Sequence, residues 1–218
     1  RLGIQVDCPM DQTCCGQPAF NAGHRKAAKV AARRFVEIFQ NAEWIVCPSG
    51  SCVNMVKNHY PELFKDDTAW AARAKQVGQR TFELSQFLVN ILGIEDMGAA
   101  YDGKITYHDS CHLKRGSNVW QEPRALLKAS GPQIKEMKNS DRCCGFGGTY
   151  SFLSHPQISK QITRDKVETI QATGVKTVAT DCPGCMIMLK GAVGKADESI
   201  RCVHTMELLA EALERERK

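Results

Sequence analysis

Short apolar runs alternate with helix-forming stretches along this chain of 218 residues. Runs rich in β-branched and aromatic residues predict strands, at 2–6, 44–46, 105–107, 134–137 and 177–179. Apolar residues at steps of three and four predict helices between them, over 21–38, 51–60, 84–92, 111–130, 155–173, 185–190 and from 205 onward. Strands that alternate with helices favour an α/β fold with a mostly parallel sheet.

The first long helix shows the local signals on which these predictions depend. Its apolar stripe is predicted to consist of Ala27, Ala31, Phe35 and Ile38. Asn21 is predicted to cap its start, because an Asn side chain accepts a hydrogen bond from an early backbone N–H. The helix over 51–60 is predicted to stop before Pro61, since proline disfavours helical geometry at the preceding residue.

The segment from Met97 to Gly103 is the most plausible joint between two halves, because it combines small residues with an Asp-Gly pair. We therefore predict two pseudo-repeated βαβ-type units, one over residues 1–98 and one over residues 99–218. In each unit the cysteine loops are expected at the carboxyl ends of the strands, which is where open α/β sheets bind ligands.

The repeat is visible in the cysteines. Cys14-Cys15-Gly16 matches Cys143-Cys144-Gly145, and each motif precedes a predicted long helix. The segment that begins at Cys52 likewise matches the segment that begins at Cys185. The second half is the fuller copy, with a lone Cys111 upstream and Cys182-Pro183-Gly184-Cys185 downstream.

The first half departs from this pattern at two places. Ser49 occupies the position of Cys182, with Cys47 two residues out of register. The position that would match Cys111 falls before Arg1, so we expect the natural polypeptide to extend upstream of the sequence given. Whether the first half binds a cofactor, a substrate or nothing stays open at this point.

The charge, the apolar runs and the cysteine content limit which classes of function the chain can have. The net charge of +5 comes from 29 basic and 24 acidic residues spread along the chain, whereas nucleic-acid binders concentrate basic residues on one patch. No apolar run is long enough to span a bilayer. The 11 cysteines are an odd number, occur in CC and CxxC clusters and follow no secretion signal, so we expect a reducing, cytoplasmic environment rather than a disulfide framework.

Five thiols in the second half suggest a metal site. Thiolates are soft ligands that favour iron–sulfur clusters, zinc or copper(I). Zinc sites need only four ligands and usually take them from compact knuckles, whereas these five come from three separated loops. Gly145, Gly147 and Gly148 would let the backbone approach a bulky anionic cluster. An iron–sulfur cluster is the leading interpretation, and zinc or a redox-active thiol set are the alternatives.

The order of a lone cysteine, CC-Gly and CxxC, present twice, resembles the cysteine-rich (CCG) domain. That family includes a cysteine-rich component of heterodisulfide reductase and iron–sulfur subunits of glycolate and glycerol-3-phosphate oxidation. The motifs CCGQPAFN at 14–21, PSGSC at 48–52 and CCGFGGT at 143–149 are most similar to its lactate-utilization branch. The resemblance covers essentially the whole chain.

The resemblance implies an iron–sulfur electron-transfer subunit of a cytoplasmic complex that oxidises L-lactate, or a related 2-hydroxy acid, to the 2-oxo acid. It implies two partners, a ferredoxin-like iron–sulfur subunit and a third subunit. It also implies a [4Fe–4S] cluster of the non-cubane kind that the heterodisulfide reductase relative holds through five cysteines. The ligands implied for the second half are Cys111, Cys143, Cys144, Cys182 and Cys185, and those for the first half are Cys14, Cys15 and Cys52, with Cys47 as a substitute.

Two rival functions stay open, a thiol–disulfide reductase and a zinc scaffold that organises partners. Among the other polar residues, His108 is open between a site-facing and a structural role, and His112 is expected to be structural. Cys8 and Cys202 lie outside the repeat and are expected to be buried apolar thiols. No dinucleotide fingerprint, Walker motif or Ser-His-Asp order is present.

Overall fold

The computed structural model describes residues 2–148 and 150–215, and every strand pairing in this part of the chain is parallel. A two-stranded sheet joins β1 (Ile45–Cys47) to β2 (Thr81–Glu83). A four-stranded sheet has the order β4-β3-β5-β6, formed by β3 (Lys104–Tyr107), β4 (Gln133–Ile134), β5 (Thr177–Thr180) and β6 (Arg201–His204). The α/β class with parallel sheets is therefore confirmed.

Helices connect the strands and cover the sheets. The α-helices are α1 (Gln17–Asn21), α2 (Arg25–Phe39), α3 (Gly50–Asn54), α4 (Tyr60–Leu63), α5 (Thr68–Gln79), α6 (Leu84–Gln86), α7 (Glu122–Ala129), α8 (Pro156–Gln171), α9 (Pro183–Ala196) and α10 (Thr205–Arg215). Wider π-helical turns occupy Met55–His59, Phe87–Ile91, His112–Gly116 and Tyr150–Ser154. Prolines at the first turns of α8 and α9 suit positions whose N–H groups have no partner in the helix.

Helix α2 packs its small residues into the first core. Ala28, Ala32 and Val36 are fully buried, whereas Ala27 is exposed, so the predicted stripe was wrong by one position. The predicted cap was also wrong, because Asn21 ends α1 and His24 precedes α2. The predicted spacing of the buried residues was right, but which residues are buried depends on the surface against which the helix packs.

Two other predictions for the first half were wrong. Residues 2–6 form no strand, and Val6 is 81% exposed, because nothing in the described chain pairs with them. The helix over 51–60 does not stop before Pro61, since the π-helical turn Met55–His59 leads directly into α4, which contains Pro61 near its start. A proline at the first turn of a helix costs no hydrogen bond.

Two strands were missed by the sequence pattern. β2 begins and ends with polar residues, Thr81 and Glu83, and β6 with Arg201 and His204, so neither shows the apolar run that predicted the other strands. The predicted strands at 44–46, 105–107 and 177–179 correspond to β1, β3 and β5 within a residue, and β4 is shorter than predicted. Residues 93–103 form neither helix nor strand. The boundary between residues 98 and 99 stays a prediction.

The second sheet positions the site. β4 lies on one side of β3, whereas β5 and β6, which follow it along the chain, lie on the other side, so the order in which strands are added to the sheet reverses at β3 and β5. A parallel sheet leaves a crevice beyond the carboxyl ends of two such strands. Within the described residues no helix is long and apolar enough to cross a membrane.

A close-packed seam joins the two halves. The Gly50 N–H donates to the Asp181 carbonyl at 3.0 Å. A Cβ atom on Gly50 would lie 2.5 Å from Leu113 Cβ, and one on Gly116 would lie 1.8 Å from Asn54 Oδ1. Both distances are too short for any side chain, so the two glycines allow α3 and the turn His112–Gly116 to touch.

Candidate metal centre

The five thiols of the second half lie around the crevice between β3 and β5. Cys111 follows β3, Cys182 follows β5 and precedes α9, and Cys185 lies in the first turn of α9. Cys143 and Cys144 come from the loop between β4 and α8. The chain's eleven cysteines are all free thiols.

These five sulfur atoms form one connected group. Cys144 Sγ lies 3.3 Å from Cys185 Sγ. Cys143 is hydrogen-bonded to the thiols of Cys111 and Cys144, and Cys182 is hydrogen-bonded to Cys185. Three segments that are distant in sequence therefore place their thiols together.

The electrostatics of the group divide it into thiolates and thiols. Hydrogen bonds from Cys111 and then Cys144 lower the pKa of Cys143 to about 2. A hydrogen bond from Cys185 likewise holds the pKa of Cys182 well below its ordinary value. The pKa of a thiol that donates such a hydrogen bond changes in the opposite direction. The bond to Cys143 raises the pKa of Cys144 to about 12. A soft metal can take the place of the shared protons.

Glycine shapes the loop that carries Cys143 and Cys144. Gly145 has φ +91°, and its N–H donates to Cys143 Sγ at 3.3 Å. From α8, Thr163 Oγ1 donates to the Cys144 carbonyl at 2.9 Å and Ser159 Oγ donates to the Gly145 carbonyl at 2.6 Å. The loop is thus fixed by α8, and its Gly145 and Phe146 N–H groups donate to the sulfur atoms of Cys143 and Cys144.

A smaller thiol group lies in the first half. Cys52 is hydrogen-bonded to Cys15 and Cys47, and those two bonds lower the pKa of Cys52 to about 3. Cys14 is exposed, and its sulfur accepts the Gly16 N–H at 3.4 Å, as Cys143 accepts the Gly145 N–H. The structure therefore brings Cys15, Cys47 and Cys52 together and leaves Cys14 at the surface.

Two serines of the first half, Ser49 and Ser51, lie next to the thiols. Ser49 caps α3 by accepting the Cys52 N–H at 3.4 Å, so the residue at the position of Cys182 now serves the backbone. The Ser51 side chain is hydrogen-bonded both to Cys52 and to Cys182. One hydroxyl therefore touches both thiol groups.

Two histidines accompany the second group. His108 is fully buried, and its ring nitrogen lies within 4.8 Å of the sulfur atoms of Cys144 and Cys185. The open question about His108 is thus answered in favour of a position facing the site. His112 Nδ1 lies 3.7 Å from Cys111 Sγ. Cys202 is buried as expected, but Cys8 is exposed, so that prediction was wrong.

A buried acidic pair beside the site was missed. Glu83 and Asp181 are both fully buried, and Tyr107 Oη donates to Asp181. Burial and the neighbouring Asp181 raise the pKa of Glu83 to about 8. Glu83 could not be found from sequence because it ends the unpredicted strand β2. Asp181 had one available signal, its position directly before Cys182.

The donor set suits a metal-containing group. Thiols that are free, buried, mutually hydrogen-bonded and accompanied by an imidazole are the ligands of iron, iron–sulfur and zinc sites. The arrangement is consistent with electron storage or with binding of a soft ligand at a bound metal.

Comparison with known proteins supports this interpretation. The family model described as a cysteine-rich domain (CCG) matches residues 1–57 and 105–190. Lactate utilization protein A of Bacillus subtilis (strain 168) is 44% identical over 211 residues, which cover 96% of this chain and 87% of that protein. The proteins of the same name from Anoxybacillus flavithermus and Bacillus cytotoxicus are 44% and 43% identical over the same shares.

Proposed function

The chain belongs to the cysteine-rich (CCG) domain family, and we propose that it is an iron–sulfur electron-transfer subunit of a cytoplasmic system that oxidises L-lactate to pyruvate. The substrate class is supported by the name of its relatives, lactate utilization protein A. The partners in this proposal are a ferredoxin-like iron–sulfur subunit and a third subunit. A related 2-hydroxy acid would suit the same chemistry.

The proposed cofactor is a [4Fe–4S] cluster in the second half. The observation that carries this proposal is the connected, largely buried group of five thiols at the crevice between β3 and β5. Its proposed ligands are Cys111, Cys143, Cys144, Cys182 and Cys185. When bound, such a cluster accepts and releases single electrons, and its potential depends on hydrogen bonds to sulfur and on burial.

The chain's own residues would set that environment. The Gly145 N–H donates to Cys143 Sγ, and the Ser51 side chain is hydrogen-bonded to Cys182. Cys144, Cys182 and Cys185 are each no more than 5% exposed, which excludes water from one side of the site. The first-half group of Cys15, Cys47 and Cys52 offers only three thiol ligands, so the iron–sulfur proposal is confined to the second half.

Metal analysis of matched cysteine variants tests the proposal. Anaerobically purified protein should contain iron and acid-labile sulfide and show thiolate-to-iron absorption. Cys144→Ser should lose most of this iron, because Cys144 is hydrogen-bonded to both Cys143 and Cys185. Cys202→Ser is the control, since Cys202 is equally buried but lies on β6. Full iron in Cys144→Ser, or stoichiometric zinc in a colourless wild type, would contradict the proposal.

Activity assays then test the substrate. With its partner subunits present, the protein should reduce an artificial electron acceptor when L-lactate is supplied, and Cys144→Ser should abolish that reduction. If a heterodisulfide is reduced instead and lactate is not oxidised, the protein is a thiol–disulfide reductase and the lactate proposal is wrong.

A further inference from the structure

His108 is a buried polar side chain without an ordinary partner. It follows β3 directly, and its accessible surface is zero. Neither Nδ1 nor Nε2 has a hydrogen bond of normal geometry within the described chain. A buried polar group without a hydrogen-bond partner destabilises a fold, so the presence of His108 at this position calls for a partner.

The backbone fixes the position of this ring. The His108 N–H donates to the Ala179 carbonyl at 2.9 Å, and the Thr180 hydroxyl donates to the His108 carbonyl at 3.0 Å. These bonds hold His108 between β3 and β5, at the crevice. Its ring nitrogen is consequently directed to within 4.8 Å of Cys144 Sγ and Cys185 Sγ.

One backbone carbonyl is available to the imidazole. The Ser140 carbonyl faces the ring as an acceptor, outside normal hydrogen-bond geometry. That carbonyl is fixed by the Asp109 N–H at 3.1 Å and by Lys166 Nζ at 3.3 Å. Metal-binding histidines commonly donate one N–H to a backbone carbonyl, which leaves the other nitrogen as the ligand.

We propose that His108 is a nitrogen ligand of the metal group held by Cys144 and Cys185. Neutral imidazole is a ligand that suits both iron and zinc, and here it approaches the thiols from the strand side. The proposal rests on the proposed function only in requiring that the bound group contain a metal. A bound metal would supply the partner that His108 lacks within the described chain.

Cobalt(II) tests His108 independently of iron–sulfur assembly. The whole chain, stripped of metal anaerobically, is titrated with Co²⁺, whose absorption reports on its ligands. His108→Asn should weaken Co²⁺ binding about ten-fold or more and shift the visible bands. Even the loss of a residue that only hydrogen-bonds to a metal ligand weakens metal binding by about that factor, and a direct ligand should matter at least as much. His204→Asn, a substitution of another buried histidine at the end of β6, should change neither.

Pulsed electron paramagnetic resonance on the reduced, iron-containing protein gives the second readout. With ¹⁵N-labelled histidine, the wild type and His204→Asn should show the nitrogen coupling of a directly bound imidazole, and His108→Asn should not. Equal Co²⁺ binding by wild type and His108→Asn, or no such coupling in the wild type, overturns the proposal. Iron and sulfide content, measured on the same samples, reports separately on the proposed function.

Discussion

Substituting Gly145 with alanine should destabilise the fold more than the same change at two other left-handed glycines, Gly16 and Gly174. Gly145 has φ +91°, and a Cβ atom there would lie 2.2 Å from Thr163 Oγ1 and 2.7 Å from the Ser159 carbonyl oxygen. Thr163 cannot turn away without losing its bonds to the carbonyls of Cys144 and Ser159. The substitution therefore combines backbone strain, overpacking and lost hydrogen bonds.

The three costs can be added as orders of magnitude. A left-handed conformation costs an alanine about 1–2 kcal/mol. Overpacking a tight site costs about 1–3 kcal/mol. Each lost hydrogen bond costs about 1 kcal/mol. With both Thr163 bonds lost, we expect Gly145→Ala to lower the free energy of unfolding by roughly 5 kcal/mol, with the loop that carries Cys143 and Cys144 displaced from α8.

Two other glycines provide matched controls. Gly174 has φ +67° and open space around its Cβ position, so Gly174→Ala should cost only the backbone strain, about 1 kcal/mol. Gly16 has φ +83° and contacts of 3.0 Å to Ala31 Cβ and 3.2 Å to the Ala28 carbonyl, so Gly16→Ala should fall between them.

Urea unfolding followed by circular dichroism measures this order. The variants must be compared at equal metal content, because bound metal adds its own free energy to unfolding. If Gly145→Ala is within about 1 kcal/mol of Gly174→Ala, the contact with Thr163 does not carry the energy assigned to it, and the reasoning is refuted.

Two predictions concern the buried charges. Because the pKa of Glu83 is raised to about 8, the folded state keeps a proton that the unfolded chain releases above about pH 4.3, so the free energy of unfolding should fall as pH rises between these values. Glu83→Gln should remove that part of the slope, and an unchanged slope in pH-dependent urea unfolding contradicts the assignment. Arg124 is paired with buried Asp109 at 2.7 Å and 2.9 Å, so Arg124→Met should cost about 3 kcal/mol by stranding a carboxylate. Adding Asp109→Asn should restore part of that loss, and no restoration in thermal unfolding counts against the pairing.

The sequence was most informative where a signal is local. In the second half the cysteine spacing predicted which thiols would meet, and the structure places Cys111, Cys143, Cys144, Cys182 and Cys185 in one group. In the first half Cys14 stays at the surface, apart from the group around Cys52. The strands that contain an apolar run and the period of α2 were also predicted, because these signals depend on residues near in sequence.

The features that the sequence did not predict depend on contacts between residues that are far apart along the chain. β2 and β6 are strands because β1 and β5 supply their hydrogen bonds, and residues 2–6 are not a strand because nothing in the described chain pairs with them. Glu83 becomes part of the site's surroundings only through that pairing. His108 could be placed at a strand end from sequence, but its direction toward Cys144 required the positions of β5 and of the loop after β4.

The glycine seam also shows that the two repeats are not interchangeable. When Cys52 is aligned with Cys185, Gly50 corresponds to Pro183, whose ring would occupy the space that Leu113 fills against Gly50. Gly116, the other glycine of the seam, approaches Asn54, which corresponds to Ile187 in the same alignment. A chain built from two copies of the second half would consequently fail to close this contact. The halves have diverged into complementary parts, each shaped to accept the other rather than its own duplicate.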